Sequence, residues 1–270
     1  MSTYWDQAPG YWGHIGPPLR PSASDIGFIT DFVSQWRRRD LRVLILGVTQ
    51  EYQRIEWPEA TVLCAADREK AMIQKLWLGD PDRAYEADWR SLPVDPNTQD
   101  IVLCDGGLTV VDYPDSVDQI AQELYRVLSP GGYAIFRVFL PSPATMTPAS
   151  VVDDLKCGRI GDLNILKIRL WQALQANPHQ GVRLADVWDE VRSGVDDFDD
   201  LATRIGWQVE RFDALELYRN CEDIYRLLTV DEVVSVFCKA GRFELQGVKV
   251  PSYPLGESCP SIAFRSEKPS

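Results

Sequence analysis

Residues 41–67, LRVLILGVTQEYQRIEWPEATVLCAAD, constrain this chain more than any other stretch. Val43, Leu44, Ile45 and Leu46 run without a polar break into Gly47, and a second apolar run from Thr61 to Ala66 ends in Asp67. Strands lacking polar alternation are buried on both faces, as in a parallel sheet covered by helices. The glycine lets backbone approach a ligand closely. A carboxylate at the next strand end, about twenty residues on, is placed to accept both hydroxyls of a ribose. The dinucleotide pattern G-x-G-x-x-G is absent, because Gly47-Val48-Thr49-Gln50-Glu51-Tyr52 holds one glycine. The stretch therefore suits a nucleoside better than a pyrophosphate.

The same pattern recurs on both sides. A helix is expected from Ser24, with Ile26, Ile29, Val33 and Trp36 on one face. The cations Arg37–Arg39 suit its C-terminal end. After Asp67 come a short helix (Arg68 to Trp77), a turn at Gly79-Asp80-Pro81-Asp82, and a short strand, Ala84 to Ala87, leading into Asp88. A fourth strand, Ile101 to Cys104, ends at Asp105-Gly106-Gly107. The helix from Asp115 carries Val117, Ile120, Ala121, Leu124 and Leu128 on one face; Ser129-Pro130-Gly131-Gly132 stops it, and a fifth strand runs from Tyr133 to Phe139. Five strands alternating with helical segments predict an α/β, doubly wound parallel sheet, whose ligands bind beyond the carboxyl ends of the strands. Gly47, Asp67, Asp88 and Asp105 all stand at such ends.

From Pro141 the texture changes. PSPATMTPAS reads as a linker, followed by helices over Leu163–Leu174 and Leu184–Val191 and a solvated acidic run, Asp196 to Asp200. Trp207 to Tyr218 fits helix or strand equally. Thr229-Val230-Asp231-Glu232 is a capping box opening a helix that Gly241 closes. Two strands, Phe243–Val250 and Ser261–Ser266, finish the chain. The expected organisation is an aromatic arm (1–22), a core (23–140), a helical insertion over the ligand rim on the acceptor side (141–228) and a segment completing the core (229–270). The arm, with Tyr4, Trp5, Tyr11, Trp12 and three prolines in its last six residues, fills grooves of the core or forms a lid over a ligand.

Charge narrows the function classes. A net charge of −12 and a pI near 4.7 oppose a bulk nucleic-acid binder, which needs a basic face. No apolar run approaches the ~20 residues of a membrane span, and the N-terminal residues show no signal-peptide pattern. A cytoplasmic protein with no membrane insertion is expected. The six cysteines form no C-x-x-C pair and read as reduced core residues; with only His14 and His179, both read as surface residues, no metal site is expected.

These elements together resemble the class I S-adenosylmethionine-dependent methyltransferases over Leu41–Phe139 and Thr229–Arg265. The similarity rests on Asp67, on Asp88-Trp89-Arg90-Ser91-Leu92-Pro93 (acid–x–x–x–Leu–Pro), on the strand ending at Asp105, and on Glu123-Leu124-Tyr125-Arg126-Val127-Leu128-Ser129-Pro130-Gly131-Gly132, close to E-x-x-R-V-L-x-P-G-G. The resemblance implies a Rossmann-like, mostly parallel seven-stranded sheet with an antiparallel last strand and S-adenosylmethionine as cofactor. Gly47, Val48 and Thr49 would underlie the methionine part. Asp67 would bind the ribose, Arg68 and Met72 would flank the adenine, and Asp88 and Trp89 would meet the adenine edge. Asp105 and Gly106 would border the methionine amine and the transferred methyl. The first motif departs from the family, with no acid on the first strand and one glycine, as in divergent members with a Leu-Gly-Val-Thr loop. Arg20 or Thr49 would then be candidates for the cofactor carboxylate.

The implied activity is methyl transfer to a small, aromatic or cationic acceptor. Such a displacement is served mainly by positioning, and no nucleophile–base pair stands out. A base, if used, is sought near His14, Tyr113 or the insertion. Two alternatives are a non-catalytic methyltransferase-like binding or regulatory protein, and a nicotinamide-dependent oxidoreductase, which the missing G-x-G-x-x-G disfavours.

Overall fold

The computed structural model describes residues 3–35 and 40–269; Trp36 and the basic run Arg37–Arg39 lie outside the described residues. Among the described residues there are nine strands: β1 (Arg42–Leu46), β2 (Val62–Asp67), β3 (Ala84–Glu86), β4 (Gln99–Asp105), β5 (Leu128–Arg137), β6 (Val182–Arg183), β7 (Ile224–Tyr225), β8 (Phe243–Lys249) and β9 (Ser261–Ser266). Seven form one sheet in the order β3-β2-β1-β4-β5-β9-β8, and β6 and β7 form a separate ribbon. The first five strands of the sheet pair in parallel, and β9 runs antiparallel to both β5 and β8. Chain order reverses beside β1, which pairs with β2 on one edge and β4 on the other. That switch point opens a crevice at the carboxyl ends.

The pleat sends alternate residues of each apolar run to opposite faces. Val43, Ile45, Ile101, Leu103 and Ile135 pack beneath Ile29, Phe32 and Val33 of the helix Ala23–Ser34 (α2), α1 being the short helix Thr3–Gln7. Leu44, Leu46, Val102, Cys104, Ala134 and Phe136 instead pack against two helices on the other face, α5 (Asp115–Val127) and α11 (Val230–Phe237). Phe237 stacks on Phe264 at 4.8 Å and meets Phe136 edge-on at 4.9 Å. Burying such a ring stabilises the fold by about 2–3 kcal/mol. The Thr229 capping box forms, with Glu232 closing it. α5 ends at Val127, so Leu128 and Ser129-Pro130-Gly131-Gly132 begin β5 rather than standing between helix and strand.

Among the described residues, five helices lie between β5 and α11: α6 (Pro148–Lys156), α7 (Leu163–Leu174), α8 (Leu184–Gly194), α9 (Phe198–Ile205) and α10 (Asp213–Glu216). Three readings of this region change. The linker is cut short at Thr147, which caps α6, with proline tolerated in the first turn. The acidic run is not merely solvated, because Asp197 accepts the Asp199 and Asp200 N–H groups and caps α9. Trp207–Tyr218 resolves into a turn of tight helix and α10, with no strand. Leu155, Leu166, Leu170, Trp171, Leu184, Val187 and Leu201 form a core of their own, joined by Tyr4 and Ala8 of the arm. Polar clamps fasten α7 to the sheet: Gln172 donates to Leu140 O and Ser258 Oγ, and Gln175 exchanges hydrogen bonds with Leu227 backbone.

Candidate active site

The helices α3 (Gln50–Gln53) and α4 (Lys70–Leu76) follow β1 and β2 and frame the crevice. Gly47 turns out of β1 with φ +86° and donates its N–H to Ala66 O at 2.8 Å, drawing the loop across the end of β2. A Cβ there would sit 3.9 Å from Asp67 Oδ2, so the glycine keeps a slot open above that carboxylate. Gln53 holds the loop from behind, its amide donating to Val48 O and Leu76 O and its oxygen accepting Leu78 N–H. Asp67 is buried; Oδ1 accepts the Glu69 N–H at 2.8 Å, and burial pushes the carboxyl up to about 6.

Gly106, at φ +64°, carries the chain past the end of β4, where a Cβ would meet Phe139 Cε2 at 2.7 Å. Trp89 donates its indole N–H to Ala66 O at 2.7 Å and lays its ring against Gly107. Two motifs far apart in sequence meet here. Glu123 Oε1 accepts Leu92 N–H at 2.6 Å, and Arg126 donates to Leu92 O and Val94 O while paired with Glu123. The E-x-x-R pair on α5 thus grips the acid–x–x–x–Leu–Pro loop by its backbone.

A cavity of about 270 Å³ lies over these strand ends, and each of Gly47, Val48, Thr49, Asp67, Arg68, Met72, Asp88, Trp89, Asp105 and Gly106 lines it. Two of these carboxylates already have partners. Asp105 is bound to the buried Arg137 guanidinium at 2.6 Å, and Arg137 also donates to Pro18 O. Asp88 forks with the Arg90 guanidinium, which holds its carboxyl below the usual range, although both side chains are half-exposed. Arg20 does not line the cavity; it pairs with Glu51 at 2.6 Å and donates to Trp12 O. His14 and His179 are exposed, and neither they nor Tyr113 line it.

On the opposite wall, the sequence offered the aromatic arm as a lid and the insertion as a cover, but singled out no residue of the insertion as a site residue. Tyr4, Trp5 and Trp12 of the arm and Phe139, Lys167, Trp171, Tyr218 and Tyr225 line the same cavity. The arm is helical, α1 running into a tight helical turn, Ala8–His14, and it packs on α4 beside Val48 and Met72. A lysine four residues before a tryptophan inside the apolar helix LNILKIRLWQAL was the available signal. Among the described residues, no group of three His, Cys, Asp or Glu side chains is gathered closely enough to hold a metal ion.

Comparison with known proteins agrees with this geometry. Residues 47–136 match the family model described as a methyltransferase domain. No curated protein matches significantly. Among solved structures, a Rhodobacter sphaeroides protein described as a zinc-dependent alcohol dehydrogenase superposes over 98% of both chains with TM-score 0.61 and 13% identity. The PH0226 protein of Pyrococcus horikoshii does so over 95% of this chain and 98% of its own, with TM-score 0.52 and 14% identity. A SAM-dependent methyltransferase of Methanosarcina mazei aligns over 92% and 99%, with TM-score 0.50 and 15% identity. These three likenesses speak to the fold, whereas the family match falls on the strands and loops that build the cavity. Through that core, residues 47–136, the chain is similar to a methyltransferase domain, and its sheet has the matching Rossmann-like topology.

Proposed function

We propose that the cavity binds S-adenosylmethionine and passes its methyl group to a small-molecule acceptor held between the sheet and the helical insertion. The observation that carries this reading is the continuity of one cavity, from the slot between Gly47 and Asp67 to the aromatic wall of the insertion. The residues fit an adenosine. Asp67, buried with Oδ2 facing the Gly47 slot, accepts from the ribose hydroxyls. Met72 and the Trp89 ring flank the base, with Arg68 beside it, and Asp88 stands at the amino edge. Gly47, Val48 and Thr49 support the methionine portion. Asp105 acts indirectly, by fixing Arg137 and the turn at Gly106.

When bound, S-adenosylmethionine would supply a sulfonium methyl group for in-line transfer to the acceptor, with S-adenosylhomocysteine as the leaving group. The chain's contribution is to align the acceptor and exclude water. The arm covers one side and α7 closes the other, which favours a small acceptor over a polymer; the net charge of −12 also disfavours nucleic acid. Calorimetric titration with S-adenosylmethionine and S-adenosylhomocysteine, with NAD as control, tests the reading. Micromolar binding of the sulfur nucleosides, lost in Asp67→Ala, supports it. Binding of NAD instead, or no binding of either nucleoside, overturns it.

A further inference from the structure

Lys167 is buried in the wall facing the strand ends, 3% exposed. Its Nζ donates to Ala214 O at 3.1 Å and lies 4.6 Å from the centre of the Tyr218 ring. Among the described residues no carboxylate forms an ion pair with it. One turn along α7, the indole N–H of Trp171, 2% exposed, has no hydrogen-bond partner although the ring lines the cavity. A buried ammonium without a counter-ion and an orphaned donor are both costly, and together they point to a ligand. The walls around them are aromatic. Phe139 lies 5.9 Å from Trp171, and Trp171 lies 5.1 Å from Tyr225. Phe139 also packs on Gly106, so this pocket adjoins the turn expected beside the transferred methyl.

The geometry points to Lys167 as the proton acceptor for an acidic hydroxyl, phenolic or enolic, on a flat apolar methyl acceptor, with the Trp171 N–H as the subsite's second polar group. The inference rests on the methyltransferase reading above. The hydroxyl's O–H bond breaks, an N–H bond forms on Nζ, and the electron pair stays on the oxygen, which becomes the nucleophile. After transfer the proton remains on Nζ until product leaves and solvent returns. A neighbouring carboxylate would lock the lysine as a permanent ammonium; here burial alone brings it down to about 7, leaving a neutral fraction to accept a proton. Once charged, it is stabilised by the Tyr218 ring face and the Ala214 carbonyl.

The tyrosines facing this subsite do not compete with the lysine for the proton. Tyr218, Tyr4 and Tyr225 are all raised by burial and stay protonated. Cys221 and Asp223 lie close enough to Tyr4 to act on it electrostatically, Asp213 and Glu216 of α10 are exposed, and Arg169 of α7 is paired with Asp154.

The probe is 7-hydroxycoumarin, whose absorbance separates phenol from phenolate, titrated into protein saturated with S-adenosylhomocysteine. Wild type is expected to bind it as phenolate, ionising at lower pH than free probe. Lys167→Met is expected to bind it as neutral phenol at least tenfold more weakly, with S-adenosylhomocysteine binding unchanged. Lys167→Arg, which keeps a charge, is expected to restore phenolate binding. If Lys167→Met does not fold, Lys167→Gln takes its place. Neutral phenol bound to wild type, no probe binding to the S-adenosylhomocysteine complex, or equal phenolate signals in wild type and Lys167→Met each overturn the inference alone. Absence of S-adenosylhomocysteine binding overturns the methyltransferase reading and this one with it.

Discussion

Asp67 is the position where binding and stability pull hardest against each other, and Asp67→Asn separates them. The carboxylate is 8% exposed and keeps one backbone donor, Glu69 N–H. Burial raises it from the ordinary 3.8 to about 6. Well below pH 3.8 it is protonated in folded and unfolded chains alike, and burial costs nothing. As pH rises from 3.8 to 6 the unfolded chain ionises first, and above 6 the folded chain bears the whole penalty, about 3 kcal/mol. Asparagine mimics the neutral form at every pH and still accepts from Glu69. Asp67→Asn is therefore expected to stabilise the ligand-free protein at pH 7.5 by about 1–3 kcal/mol, or roughly 2–5 °C in Tm. The gain should fade as pH falls towards 4. The same substitution should weaken S-adenosylhomocysteine at least tenfold, since a ribose diol loses its anionic acceptor. Thermal unfolding across pH 4.5–8 with matched calorimetry measures both. A destabilised variant at pH 7.5, or a pH-independent gain, would refute the reasoning.

Two further substitutions probe the scaffold. Gly106→Ala forces an alanine into φ +64° and its Cβ into the Phe139 ring, with an expected loss of about 2–4 kcal/mol in urea unfolding; a loss under about 0.5 kcal/mol would refute both the backbone strain and the clash. Glu123→Ala strips Leu92 N–H of its acceptor and Arg126 of its partner, an expected loss of about 1–3 kcal/mol at pH 7. Burial pushes Glu123 up, but Arg126 and the Leu92 N–H outweigh it and hold the carboxyl below its ordinary 4.5. The wild-type advantage should therefore shrink as pH drops through and below that value, and an advantage undiminished at pH 3.5 would argue against it.

The sheet was legible because its signals are local. An unbroken apolar run such as Val43–Leu46 is a strand buried on both faces wherever it lands, and the residue ending it marks the ligand side. The α5 stripe and the Thr229–Glu232 box are equally self-contained. The insertion was harder. Its helices start at caps such as Thr147 and Asp197 inside stretches whose composition reads as loop, and short helices carry little periodicity.

From its sequence alone, then, the chain determined the strands of the main sheet and that Gly47, Asp67, Asp88 and Asp105 stand at their ends on one rim, while the short β6–β7 ribbon left no signal in it. Tertiary structure alone decided which of those groups are still available. Asp105 is taken by Arg137, its register partner on β5, and Asp88 is forked by Arg90. It alone also brought Tyr4 to within 3.5 Å of Tyr225, 221 residues away, and buried Lys167 among aromatic rings. Strand identity follows from neighbours in sequence, whereas burial and the choice of polar partner depend on elements that meet only after folding.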